Sequence, residues 1–93
     1  MKLPQDYTKL TPKQRKLVRE EYARQQNDMC MYCHASLDYD PPEWILQKQV
    51  NWDLFPPHFL KHHVHLQHNH ATGMTEGAVH AYCNAVMWQY EGR

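Results

Sequence analysis

Two short pairs of soft ligands carry the plainest chemistry in this chain. Cys30-Met31-Tyr32-Cys33 leaves two residues between thiols, and His80-Ala81-Tyr82-Cys83 repeats that spacing later in the sequence. Two intervening residues let both donors of a pair face one tetrahedral ion. A lone pair of this kind says little. Two with matching spacing point to a single zinc site of Cys30, Cys33, His80 and Cys83, with His34 as a competing fourth ligand. Three cysteines cannot all pair with one another within one chain, so metal ligation in a reducing compartment fits them better than a disulfide scaffold. In small peptides a structural zinc contributes about 10–16 kcal/mol, enough to decide whether so short a chain folds.

A second concentration is the tract HFLKHHVHLQHNH, which holds six of the eight histidines in residues 58–70. By itself such a tract reads as a divalent-metal sponge or the polar face of a strand, and His62, His63 and His65 read as solvent-facing. His68 differs by position, at the end of an alternating segment, as does Asn84, in the first turn of a helix beyond the second Cys/His pair. A neutral imidazole can take a proton from an attacking water, and a helix-borne oxygen ligand can help hold a metal against a phosphate. Together these are requirements of phosphodiester hydrolysis.

The elements that must position these residues follow from local signals. Thr11-Pro12-Lys13-Gln14 reads as a capping box with proline at the first helical position, opening a helix over about 11–26. Its apolar stripe of Leu17, Val18 and Tyr22 is thin, Glu20 and Arg24 suit an (i, i+4) pair, and Asn27-Asp28 ends it. Pro41-Pro42 and Pro56-Pro57 forbid long regular elements over residues 38–59. The apolar side chains there, Trp44, Ile45, Leu46, Trp52, Leu54 and Phe55, are expected to wrap the core, with a short helix from Pro42 to about Lys48. Val64 to His68 alternates with the period of a half-buried strand, NHATGM holds a glycine turn, Thr75 to His80 returns as a second strand, and Ala81 to Tyr90 reads as a helix stopped by Gly92. The expectation is an α+β fold: one domain over residues 1–93, with an N-terminal helix, knuckles at 30–33 and 80–83, and a strand–strand–helix core over about 63–90.

The segment VHLQHNHATGMTEGAVHAYCN, with the earlier CxxC and the N-terminal helix in matching order, resembles the core of the HNH endonucleases of the ββα-metal (His-Me finger) superfamily. It is most similar to the phage recombination endonuclease VII branch, whose members read Asp-His-x-His, a glycine turn, a paired knuckle and then Asn. The resemblance spans about residues 12–90 and is most specific at 64–84. It implies a zinc-bound ββα-metal fold and metal-dependent hydrolysis of double-stranded or branched DNA by a monomer or homodimer in the host cytoplasm. Carried across by position, His68 is the general base, His70 a helper that orients base or phosphate, and Asn84 a ligand of a catalytic Mg²⁺, Mn²⁺ or Ni²⁺. One position departs from the pattern: Gln67 stands where the family places a metal-binding Asp or His. Mg²⁺ prefers carboxylates and sheds water reluctantly, so Gln67 with Asn84 should hold it weakly. A weak working ligand, a natural variant of reduced activity and a deliberately replaced ligand all remain open. The rival class is a non-catalytic zinc module that binds nucleic acid.

Charge and hydropathy exclude some partners. Ten Lys/Arg balance ten Asp/Glu, which argues against a histone-like binder. The balance is uneven: residues 1–25 carry seven Lys/Arg against Asp6, Glu20 and Glu21, and residues 35–57 carry Asp38, Asp40, Glu43 and Asp53 against Lys48. Lys13, Lys16, Arg19 and Arg24 are candidate phosphate contacts, or simply a solvated helix face. No apolar run is long enough to span a membrane, and the N-terminus lacks the apolar core and cleavage site of a signal peptide.

Overall fold

The computed structural model describes residues 1–92. Helix α1 (Pro12–Gln25) begins with the expected capping box: Gln14 N donates to Thr11 Oγ1 at 3.2 Å and Thr11 N to Gln14 Oε1 at 2.8 Å. The helix stops where Asn27 and Asp28 take φ of 55° and 59°, a left-handed conformation these two residue types tolerate. Two expectations for this helix need correction. Arg24 pairs with Glu21 rather than Glu20, and Leu17 is exposed, so the inward face is Val18 with half-buried Tyr22.

The Pro-punctuated stretch holds one turn of α-helix, α2 (Glu43–Leu46), shorter than the sequence suggests, and a 3-10 turn at Trp52–Leu54. One turn can bury only one side chain, and that is Ile45. Trp44, Leu46, Trp52 and Leu54 are exposed rather than wrapped into the core. The aromatic rings here pack on one another instead, Phe55 against Phe59 at 4.7 Å and against Trp88 at 5.4 Å.

Strands β1 (Val64–His68) and β2 (Thr75–His80) fall where the alternation places them and form a two-stranded antiparallel hairpin. Asn69 Oδ1 accepts from Ala71 N and Thr72 N to shape the connection, and Gly73 supplies the positive φ of 78° it needs. Gln67 pairs with Gly77 but His68 with Thr75, so Glu76 is an extra residue in a bulge. Helix α3 (Ala81–Glu91) follows β2 without a loop and ends at Gly92, φ 71°. Its Cys83, Val86 and Met87 join Val79, Ile45 and Leu37 in one buried cluster.

Two connections tie the N-terminal half to this ββα unit. The side-chain amide of Gln26 acts as a rung on the outer edge of β2: its Nε2 donates to Ala78 O and its Oε1 accepts from Ala78 N, both at 2.9 Å. Gly77 is small enough to allow this, since a Cβ there would sit 2.7 Å from Met31 Sδ and 2.9 Å from Gln26 Oε1. The first residues form a strap beside the hairpin, with Tyr7 N donating to Gly73 O and Thr75 N to Gln5 O, each at 2.8 Å. No helix among the described residues is long and apolar enough to cross a membrane.

Candidate metal centre and adjoining cleft

The turn after α1 delivers Cys30 and Cys33, and the junction of β2 with α3 delivers His80 and Cys83. All four are buried, and their ligand atoms lie within 4.8 Å of one another. A tetrahedral zinc with ordinary bond lengths separates an imidazole nitrogen from a thiolate sulfur by about 3.6 Å. His80 Nδ1 lies 3.4 Å from Cys33 Sγ and 3.6 Å from Cys83 Sγ. The remaining valences are also arranged. His80 Nε2 donates to Ser36 O at 2.8 Å and Tyr39 O at 2.9 Å, which leaves Nδ1 as the lone-pair nitrogen, and Tyr32 N donates to Cys30 Sγ at 3.4 Å. Without a cation the thiols compete for one negative charge. A hydrogen bond with Cys83 holds Cys30 down to about 4, the same bond pushes Cys83 far above the usual thiol range, and burial raises Cys33. A dication removes that competition, so the group fits a structural zinc. His34 is exposed, with a φ of 64°, and stands outside this ligand group.

On the other side of α3, a cleft of about 470 Å³ opens between α1 and the hairpin. Gln67, His68, His70 and Asn84 all line it, so the residues singled out by sequence share one cavity. Simple alternation would send Gln67 and His68 to opposite faces of the strand, yet the whole run from Val64 to His68 borders the cleft, so both reach it. His68 is held flat against the Tyr7 ring, 3.9 Å between centroids and 10° between planes, with His70 4.7 Å away. Burial first, then the charges of His70 and Arg15, hold its pKa below the ordinary histidine range. The imidazole is therefore neutral near pH 7 and able to accept a proton.

Asn84 is not bonded to His68. Its Nδ2 meets His65 Nδ1 at 3.1 Å, so the expectation of a solvent-facing His65 is corrected. That ring is half-buried and edge-on to Phe59 at 4.7 Å. Burial is the main reason its pKa is lowered. A neutral His65 accepting from Nδ2 fixes the Asn84 amide and leaves Oδ1 for another ligand. His62 and His63 are exposed as expected, although His63 Nε2 donates to Tyr39 O at 3.0 Å, beside the Cys₃His group.

Gln67 is only 2 % exposed. Its Nε2 approaches His68 O at 3.2 Å and the Glu76 carboxylate at 3.5 Å. The cleft thus offers a metal two amide oxygens and imidazoles but no carboxylate of its own, a poor set for Mg²⁺. Among the described residues the only group of three or more Cys, His or acidic ligands is the Cys₃His cluster. Sequence reasoning missed Tyr7, Arg15 and the orienting role of His65. The first two reach the cleft through long-range packing that leaves no local pattern. Comparison with protein-family models, with curated proteins and with solved structures gives no match.

Proposed function

We propose that this chain is a zinc-stapled nuclease of the HNH type, evolved to hydrolyse phosphodiester bonds in DNA with His68 as general base. One observation carries the reading. A neutral, ring-stacked His68 from the end of β1 and an oriented Asn84 from α3 share one cleft, on a strand–strand–helix unit clamped by a Cys₃His group. His68 takes the proton of the attacking water at its unprotonated ring nitrogen. The Tyr7 face restricts the imidazole to one plane, so little orientation remains to be fixed when substrate arrives. His70, exposed at the rim, orients phosphate or base, and Asn84 presents Oδ1. A divalent ion, when bound, would supply charge stabilisation at the phosphate. The amide pair of Gln67 and Asn84 holds such an ion weakly, and the activity of this sequence is correspondingly low.

The test is a cleavage panel on plasmid and four-way-junction DNA with Mg²⁺, Mn²⁺ and Ni²⁺, comparing the parent, His68→Ala and Gln67→Asp. Nicking by the parent or by Gln67→Asp, lost on His68→Ala in either background, is the expected result. If neither the parent nor Gln67→Asp cuts under any metal, the reading falls. The buried, hydrogen-bonded amide of Gln67 favours one alternative, a zinc module that binds nucleic acid without cutting it. Salt-sensitive binding with no cleavage throughout the panel is its signature.

A further inference from the structure

The cleft is far more basic than a chain of zero net charge would lead one to expect. Its permanent charges are Arg15 and Arg19; His62, His65, His68 and His70 add imidazoles, of which His65 and His68 are held neutral, and no Asp or Glu lines it. Of the five cations on α1, only two belong to this wall. Positions 12, 15 and 19 lie on one helical stripe, and Pro12, Arg15 and Arg19 all face the cavity. Lys13 and Lys16 are exposed elsewhere, and Arg24 is engaged by Glu21 in the only ion pair among the described residues. The cleft arginines therefore have no carboxylate partner.

Arg15 is also held in place. Its guanidinium lies 3.9 Å over the Tyr7 ring whose other contact is His68, and its Nη2 donates to Tyr7 O at 3.3 Å. Its Nε is the one buried side-chain polar atom without a hydrogen-bond partner among the described residues. Both arginines sit within electrostatic reach of the imidazoles, Arg15 of His68 and Arg19 of His65.

We infer that Arg15 and Arg19 form a phosphate subsite, a two-guanidinium clamp that grips a backbone phosphodiester next to the one presented to His68. The inference rests on reading the cleft as a DNA site and adds the route of the strand, along the Pro12–Arg15–Arg19 stripe of α1. Guanidinium suits this task because its planar fork matches a phosphate's oxygens.

The experiment measures binding without cleavage. Zinc-loaded protein carrying His68→Ala is titrated with a short DNA duplex over a series of NaCl concentrations. Arg15→Gln and Arg19→Gln should each weaken binding several-fold and lower the slope of log Kd against log salt by about 0.9, the value for one lost phosphate contact. Arg15→Lys and Arg19→Lys should keep the slope, and Lys13→Gln and Lys16→Gln should leave it unchanged. Arg15 packs on Tyr7, so its variants are checked by thermal melting. Arg19 makes no hydrogen bond among the described residues, and Arg19→Gln decides the matter if Arg15→Gln is unstable. Unchanged affinity and slope in Arg19→Gln, or no salt-dependent binding at all, overturns the clamp. Arginine-dependent binding with no cleavage anywhere in the metal panel leaves the clamp standing and removes the nuclease; cleavage with arginine-insensitive binding does the reverse.

Discussion

Helix α3 serves two sites from adjacent residues, and they are built to opposite rules. Cys83 turns into a closed group whose four donors converge within 4.8 Å and whose spare valences are met by Ser36, Tyr39 and Tyr32. Asn84 turns into an open cleft of about 470 Å³ with two amides, several half-exposed imidazoles and no acid. A closed tetrahedral set stabilises; an open one leaves room for a substrate. The difference teaches that the first site should govern folding and the second should tolerate change in everything but chemistry.

The largest effect should come from the closed site. Stripping the ion with a chelator, or Cys83→Ser, removes a contribution of about 10–16 kcal/mol in typical small zinc peptides, comparable with the whole stability of an ordinary domain, about 5–15 kcal/mol. Cooperative thermal unfolding followed by circular dichroism should disappear. A melt that survives chelation unchanged would erase the contrast between the two sites.

Gln67→Asp comes next and sharpens the contrast, because its effect should change sign with the metal. In metal-free buffer a carboxylate at a position only 2 % exposed, 3.5 Å from Glu76 by way of the present amide, should lower the melting temperature. Added Mg²⁺ should restore the loss and raise nicking of plasmid, since a carboxylate replaces a neutral donor. A variant equally stable with and without Mg²⁺, and no faster, would show that position 67 does not face a metal.

His65→Ala should act only on the cleft. It releases the Asn84 amide, and loss of a partner that orients a ligand commonly costs about 10–100-fold in activity or metal affinity. Cleavage by the Gln67→Asp protein should fall by about tenfold, with zinc content unaltered by elemental analysis. Equal cleavage rates would mean that Asn84 needs no orientation.

How far these features could be read in advance depended on range. Both strands and the last helix appear within a residue of where periodicity puts them, and the capping box at Thr11 is as read, because each is written in neighbouring residues. The Cys₃His group was legible for a different reason: matched spacing in two short segments is rare without a common ion. What escaped was set by contacts far apart in sequence. Gln26 completes the edge of β2 across 52 positions, and Tyr7 meets His68 only because the strap bonds to Gly73 and Thr75. The bulge at Glu76 is likewise invisible to an alternating pattern. The apolar residues of 44–54 misled because composition reports hydrophobicity but not whether a helix is long enough to bury more than one side chain.

The smallest predicted effect isolates the strap. Tyr7→Leu keeps bulk and backbone contacts, including Tyr7 N to Gly73 O, but removes the ring that separates Arg15 from His68. An aromatic stack is worth about 0.5–1.5 kcal/mol, so the melting temperature should drop only slightly and zinc affinity should stay the same. The ring protons of His68, now shielded by a face 3.9 Å away, should move downfield in the NMR spectrum. Tyr7→Phe retains the face and should leave them in place. If Tyr7→Leu instead reduced zinc affinity as much as it disturbed His68, the strap would belong to the fold as a whole, and the division of labour between the two sides of α3 would not hold.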